Sequence, residues 1–125
     1  MKARFVIEGR LPSLNEYVRV CRGNKFAANQ HKAEVEEFIG WYVRKELNPR
    51  LVFTKPVHVT FTWYEPDYRR DSDNVAFAKK YILDALQTLG HLKGDGRRHV
   101  VGFLDVFPPP DKDFPRIEVV IEEVE

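Results

Sequence analysis

Three acid or amide side chains fall within four residues in the segment Tyr68-Arg69-Arg70-Asp71-Ser72-Asp73-Asn74, with two arginines just ahead of them. Clustered carboxylates are hard oxygen donors suited to magnesium or manganese, and arginines beside them suit phosphate. The same side chains also serve to cap a helix, since Asp, Ser and Asn satisfy the free amide groups of its first turn. Further along, at roughly 100° per residue, Asp73, Lys80 and Asp84 lie within about 40° of one another on a continuous helix and share a face. Lys79 then points about 120° away from Asp73, so the angle selects Lys80 as the cation beside the carboxylates. An ordinary surface pair between Lys80 and Asp84 satisfies the same spacing. A further acid, Asp95, sits in the turn Lys93-Gly94-Asp95-Gly96. A chain reversal there returns it towards the helix, although Asp in a glycine turn also makes local hydrogen bonds.

Together these groups suit phosphodiester hydrolysis. That reaction needs developing charge neutralised, a water activated and a leaving alkoxide stabilised, and carboxylates do this by holding one or two divalent cations. Competing motifs fail. An EF-hand opening at Asp71 would need Gly at its sixth position and Glu at its twelfth, where the chain has Ala76 and Ile82. There is no Walker A sequence, no His-Glu-x-x-His and no Gly-x-Ser-x-Gly, and His31, His58, His91 and His99 lack metal-ligand spacing.

The elements that must position these residues follow from periodicity. Lys2 to Glu8 reads as a strand broken by Arg10-Leu11-Pro12-Ser13, and residues 9 to about 30, with Gly23, Asn24 and Asn29, read as a long loop. From His31, the residues Val35, Phe38, Ile39, Tyr42 and Leu47 form a helical stripe ended by Asn48-Pro49. Val57, Val59, Phe61 and Trp63 alternate with His58, Thr60, Thr62 and Tyr64 as a strand. A second helix, capped by Ser72 or Asp73, runs through Val75, Phe77, Ile82, Leu83, Leu86 and Leu89 to Gly90. His99 to Phe107 and Ile117 to Val124 read as two final strands, separated by Pro108-Pro109-Pro110. The expected architecture is α+β, a mixed four-stranded sheet with two helices on one face in the order β-α-β-α-β-β, as a single domain over residues 1–125.

Composition bounds the alternatives. A chain of 125 residues with 43% hydrophobic and 13% aromatic content encloses one ordinary core and is not a disordered chain. The single cysteine, Cys21, excludes an internal disulfide framework and any Cys-rich zinc site. No apolar run reaches the roughly 18 residues of a membrane span, and the first residues lack a signal-peptide core, so a cytoplasmic protein without membrane contact is expected. The net charge of +1 hides an asymmetry: residues 1 to 104 hold 18 Lys and Arg against 12 Asp and Glu, and residues 105 to 125 hold 2 against 7. A basic face for a polyanion is compatible with that division, as is a mixed solvated surface.

The motifs Leu11-Pro12-Ser13-Leu14-Asn15-Glu16-Tyr17-Val18-Arg19, Arg70-Asp71-Ser72-Asp73-Asn74, Lys80-Tyr81-Ile82-Leu83-Asp84-Ala85-Leu86 and Gly94-Asp95 resemble, in order and spacing, those of the RusA-type Holliday junction resolvases. The resemblance covers most of the chain. It implies a magnesium-dependent endodeoxyribonuclease, with manganese as a possible substitute, that resolves four-way DNA junctions by paired symmetrical nicks in recombination and repair. It assigns catalysis to Asp71, Asp73, Lys80 and Asp95, and the metal to Asp71, Asp73 and Asp95. Motif spacing in some members leaves Lys79 in place of Lys80. Asp84 belongs to the family pattern, and Gly94 stands where many members carry Asp or Asn. A homodimer is implied, since two strands must be nicked and each chain offers one site. Arg19, Arg22, Lys25, Arg69, Arg70, Arg97 and Arg98 are the candidate phosphate contacts. The alternative expectation is a junction-binding module without catalysis. A sugar-nucleotide enzyme using Asp-x-Asp is a more distant one, because the chain leaves little room for a nucleotide-binding domain.

Overall fold

Strict alternation of apolar side chains builds the sheet. The computed structural model describes residues 1–124, and four strands appear: β1 (Lys2–Glu8), β2 (Val57–Tyr64), β3 (Val100–Val106) and β4 (Arg116–Glu123). Phe5 and Ile7 of β1, Val57, Val59, Phe61 and Trp63 of β2, and Ile117, Val119 and Ile121 of β4 are all buried on one face. Their polar neighbours His58, Thr60, Thr62 and Tyr64 remain partly exposed on the other. Period-two patterning therefore places one face in the core and one towards solvent.

The sheet order is β1-β4-β2-β3. The last strand, β4, inserts antiparallel between β1 and β2, pairing Phe5 with Val119 and Phe61 with the same Val119 from the other side. β3 runs parallel to β2 at the far edge. A parallel pair needs a crossover, and the helical residues between β2 and β3 supply it. The mixed four-stranded α+β sheet matches the expectation.

The helices differ from it. Among the described residues four helical segments are present: α1 (Leu14–Cys21), α2 (Lys25–Glu46), α3 (Ser72–Ala76) and α4 (Lys79–Thr88). Residues 9 to 30 are thus not one long loop. Ser13 caps α1, its Oγ accepting from the Glu16 amide at 3.2 Å, and Asn24 caps α2, its Oδ1 accepting from the Ala27 amide at 2.7 Å. No residue of α1 is buried, although Leu14, Tyr17, Val18 and Cys21 fall at i, i+3, i+4 and i+7 and give it an apolar stripe; the first turns of α2 are exposed. Caps mark both starts, Ser13 and Glu16 having the spacing of a capping box.

The second expected helix is divided at Phe77 and Ala78, where the Ala78 amide bonds to Val75 O and the Lys80 amide to Phe77 O, one residue short of the α-helical partner. Such tightening changes the angular relation between the residues on either side. Val35, Ile39 and Val43 of α2 and Ile82, Leu83 and Leu86 of α4 close the core over the sheet. Gly90 ends the α4 region at φ +84°, a conformation that side chains resist.

Candidate active site

Two of the motifs that the sequence singles out are tied together physically. The Asn15 amide donates to Asn74 Oδ1 at 3.0 Å, joining the start of α1 to the Asp-x-Asp-Asn segment 59 residues away. Arg70 adds to this junction: its Nε and Nη2 donate to the two oxygens of Glu65 at 2.8 and 2.9 Å, and its Nη1 donates to Leu11 O at 3.0 Å. Paired N–H···O bonds of this kind are among the stronger and more directional in proteins. The guanidinium proposed as a phosphate contact at Arg70 is therefore committed internally, holding the approach to α1 against the end of β2.

This joint places α1 beside α3 and α4. Tyr17, Phe77 and Tyr81 form an aromatic cluster, with ring centroids 5.0 Å apart for Tyr17 and Phe77 and 6.0 Å for Phe77 and Tyr81. Burial pushes the Tyr81 hydroxyl up to about 12. Over this cluster opens a cleft of about 720 Å³, lined by Leu14, Tyr17, Phe77, Asp73, Lys79, Lys80 and Asp105.

Asp73 and Lys80 thus share one cleft, and Lys79 lines it as well. Lys80 Nζ donates to Asp84 Oδ1 at 3.0 Å and to Asp95 Oδ2 at 2.9 Å, so the turn beyond the helix does return Asp95 to this neighbourhood. The hydrogen bond from Lys80 is the main reason the Asp95 carboxyl is held below its ordinary range. In turn the bonds to Asp95 and then Asp84 raise the Lys80 ammonium above its own. Gly94 has a local reason: a Cβ there would meet His99 Cδ2 at 2.7 Å, so a side chain at that position would require the His99 ring to move.

Asp71 stands at the N-cap of α3 with extended backbone, yet its side chain makes no capping hydrogen bond and is exposed. Capping does not explain its presence. Among the described residues, no group of three or more His, Cys, Asp or Glu side chains is arranged to hold a metal ion. Asp71, Asp73 and Asp95 are thus not gathered into one three-acid pocket, because Asp95 faces the Lys80 ammonium. As placed, the acids do not form a complete magnesium site, and one of the two Asp95 oxygens, Oδ2, is engaged by Lys80.

Lys79 departs from the angular expectation. It lies on the wall of the same cleft as Asp73 and donates to Asp105 Oδ2. The break at Phe77 and Ala78 accounts for this, since the angle was reckoned along a continuous helix. Asp105 itself escaped sequence reasoning. Its Oδ1 accepts from Trp63 Nε1 at 2.9 Å, and Lys79 Nζ lies 5.0 Å from the centroid of the Phe103 ring. The cleft wall therefore ends in a Lys79–Asp105 pair that joins the start of α4 to the edge strand β3. No spacing rule links residues 26 apart on a helix and an edge strand; the sequence signal was an acid inside an otherwise apolar strand.

The remaining basic candidates sit outside this cleft. Arg19 is on α1, Arg22 caps its C-terminus, Lys25 opens α2, and Arg97 and Arg98 follow Asp95; all are exposed. Arg69 is exposed as well, with Nε 3.7 Å from Asp67 Oδ2. His91 is structural: it is buried and its Nδ1 lies 2.7 Å from Leu51 O. Among the described residues no helix is long and apolar enough to cross a membrane. No protein-family model matches the chain, and no curated protein matches it.

Proposed function

We propose that this chain is a magnesium-dependent, structure-selective endodeoxyribonuclease that resolves four-way junctions by paired phosphodiester hydrolysis, in DNA recombination and repair. The observation that carries the reading is the meeting of Asp73 and Lys80 at one open cleft, with Lys80 fixed by Asp84 and Asp95 from the turn beyond. Asp71, Asp73 and Asp95 are the carboxylates that would hold a divalent cation. The cation, magnesium or manganese, supplies charge neutralisation at the scissile phosphate and a more acidic bound water. Lys80 contributes a positive charge to the phosphoryl oxygens. Exposed Arg19, Arg22, Lys25, Arg97 and Arg98 position the DNA backbone without reading bases. Two chains related by a twofold axis suit the two nicks that a junction requires.

A second reading, a junction-binding module without catalysis, draws on the engagement of Asp95 by Lys80 and on the absence, among the described residues, of a ready three-acid group. One experiment separates the two. A synthetic four-way junction is incubated with the protein, with and without magnesium or manganese, beside a linear duplex. Paired cleavage of the junction alone, dependent on the cation and abolished by Asp73→Asn with junction affinity retained, is the expected outcome. A junction bound but uncut across both cation titrations overturns the nuclease in favour of the binding module.

A further inference from the structure

Among the described residues, two buried side-chain polar atoms have no hydrogen-bond partner, and both lie in one corner of the molecule: the Tyr81 hydroxyl and His31 Nε2. Tyr81 is only 3% exposed, so its hydroxyl is cut off from bulk water, and a buried hydroxyl without a partner is costly. The two rings meet edge to face, with centroids 6.2 Å apart. Both line a cavity of about 80 Å³ whose wall also includes Tyr17, Cys21 and Lys32, and which shares only Tyr17 with the cleft over Asp73. Cys21, the last residue of α1, is the one cysteine of the chain and is exposed, so the cavity carries a thiol that solvent reaches. The thiol lies close to both ring hydroxyls. Hydrogen bonding with Cys21 is the first cause that raises the Tyr17 hydroxyl above its ordinary range, and Tyr17 and Cys21 add to the burial that raises Tyr81.

We propose that this corner is a modification site, in which hydrogen peroxide oxidises Cys21 to a sulfenic acid and the cavity holds the added oxygen between the Tyr81 hydroxyl and His31 Nε2. In the step the sulfur attacks one oxygen of the peroxide: an S–O bond forms, the O–O bond breaks, and the thiol proton leaves with the departing oxygen as water. Sulfur gives up two electrons and the peroxide takes them. The sulfenic oxygen then accepts from the Tyr81 hydroxyl and its own proton is donated to His31 Nε2, so the product satisfies the two atoms that the thiol leaves unpaired. Space allows it. A water in the liquid occupies about 30 Å³, so the cavity takes the added oxygen with a water beside it. With no second cysteine in the chain, no internal disulfide consumes the product. Solvent access at Cys21 admits the oxidant, and the two unpaired atoms retain what it leaves behind.

The site does not depend on the nuclease reading, and its test uses no DNA, so neither outcome bears on that reading. The full chain at low micromolar concentration is treated with hydrogen peroxide, the excess is destroyed with catalase, and a 1,3-diketone that traps sulfenic acids is added after increasing delays. Intact mass reads the fraction trapped. One adduct per chain is expected, and none in Cys21→Ser. In the native chain the trappable species should outlast that of the same chain unfolded in urea by about tenfold or more, since the unfolded chain has no cavity to hold the oxygen. Tyr81→Phe keeps the ring and removes the hydroxyl, and should shorten the native lifetime about fivefold, the effect of one hydrogen bond of ordinary strength. His31→Phe keeps a ring against Tyr81 and removes the nitrogen, and should act in the same direction. Circular dichroism checks the fold of each variant, and the urea comparison decides alone where a variant does not fold. No adduct, equal lifetimes in the native and unfolded chain, or a native lifetime indifferent to both variants overturns the site and leaves water as the occupant of the cavity.

Discussion

Lys80 holds the two acids that neighbour it in two different ways. Asp84 lies one helical turn on, a pairing any surface helix offers, whereas Asp95 must be brought back by the turn at residues 93–96. The linkage has a definite sign. Asp95 is depressed below its ordinary 3.8, so its share of stability is present above that value and is lost as pH falls through the lower folded one. Lys80 is raised above 10.5, so its share is present below 10.5 and is lost as pH rises through the folded value. Between those windows the pair contributes a constant amount. Because the Lys80 side chain is 58% exposed, that amount is screened by solvent, and Asp95→Asn should change unfolding free energy by no more than about 1 kcal/mol in urea melts. Carboxyl chemical shifts give the sharper check. The Asp95 midpoint should lie below 3.8 in the native chain and move upward in Lys80→Met. An unmoved midpoint would mean that the ammonium is not what holds this acid.

At the scale of elements, the site depends on α1 being locked to the end of β2 and the start of α3. Ser13→Ala removes a cap and should cost about 1 kcal/mol. Arg70→Lys keeps the charge but loses the two-pronged grip on Glu65 and the bond to Leu11, and should cost more, about 2 kcal/mol. Amide exchange in α1 should accelerate in Arg70→Lys beyond the change in its neighbours; uniform acceleration would mean that Arg70 serves only global stability. The same joint shows what was legible in the sequence. β2 and β4 could be read because burial on one face imposes alternation, and Asp73 and Lys80 were legible as a local cluster of charge although the angle between them was reckoned along a helix that is in fact broken. The start of α2 could not be read from periodicity, since its exposed first turns impose none, whereas α1 was legible in Leu14, Tyr17, Val18 and Cys21 at helical spacing and in the cap Ser13. Arg70 looked like a free cation because its partners, Glu65 and Leu11, are determined by tertiary packing. Lys79 was misplaced for a related reason: two backbone bonds at Phe77 and Ala78 shorten the helix and turn this lysine towards Asp105 on a strand that sequence proximity does not connect to it.

For the whole molecule, the division of charge along the chain becomes a question of surfaces. The acidic C-terminal stretch folds back in part as β4 at the centre of the sheet, where Arg116 engages Asp111 and Glu118 at 2.9 Å each, so some of that negative charge is neutralised locally. The basic residues Arg19, Arg22, Lys25, Arg97 and Arg98 remain exposed. A protein that neutralises several phosphates releases as many counterions, and its affinity falls by about 10³-fold or more between 50 and 200 mM salt when about six contacts are made. Junction affinity measured across that range should follow a steep linear relation on logarithmic axes. Arg97→Ala combined with Arg98→Ala should reduce the slope by about two contacts' worth, whereas Arg69→Ala, on a side chain near Asp67, should change it less. Arg70→Lys supplies the contrast: with its guanidinium turned to Glu65, it should lower stability and leave the salt slope where it was. If Arg70→Lys flattens the slope while the 97 and 98 pair does not, the DNA path runs along the joint between β2 and α1, and the basic surface beyond the cleft has no part in it.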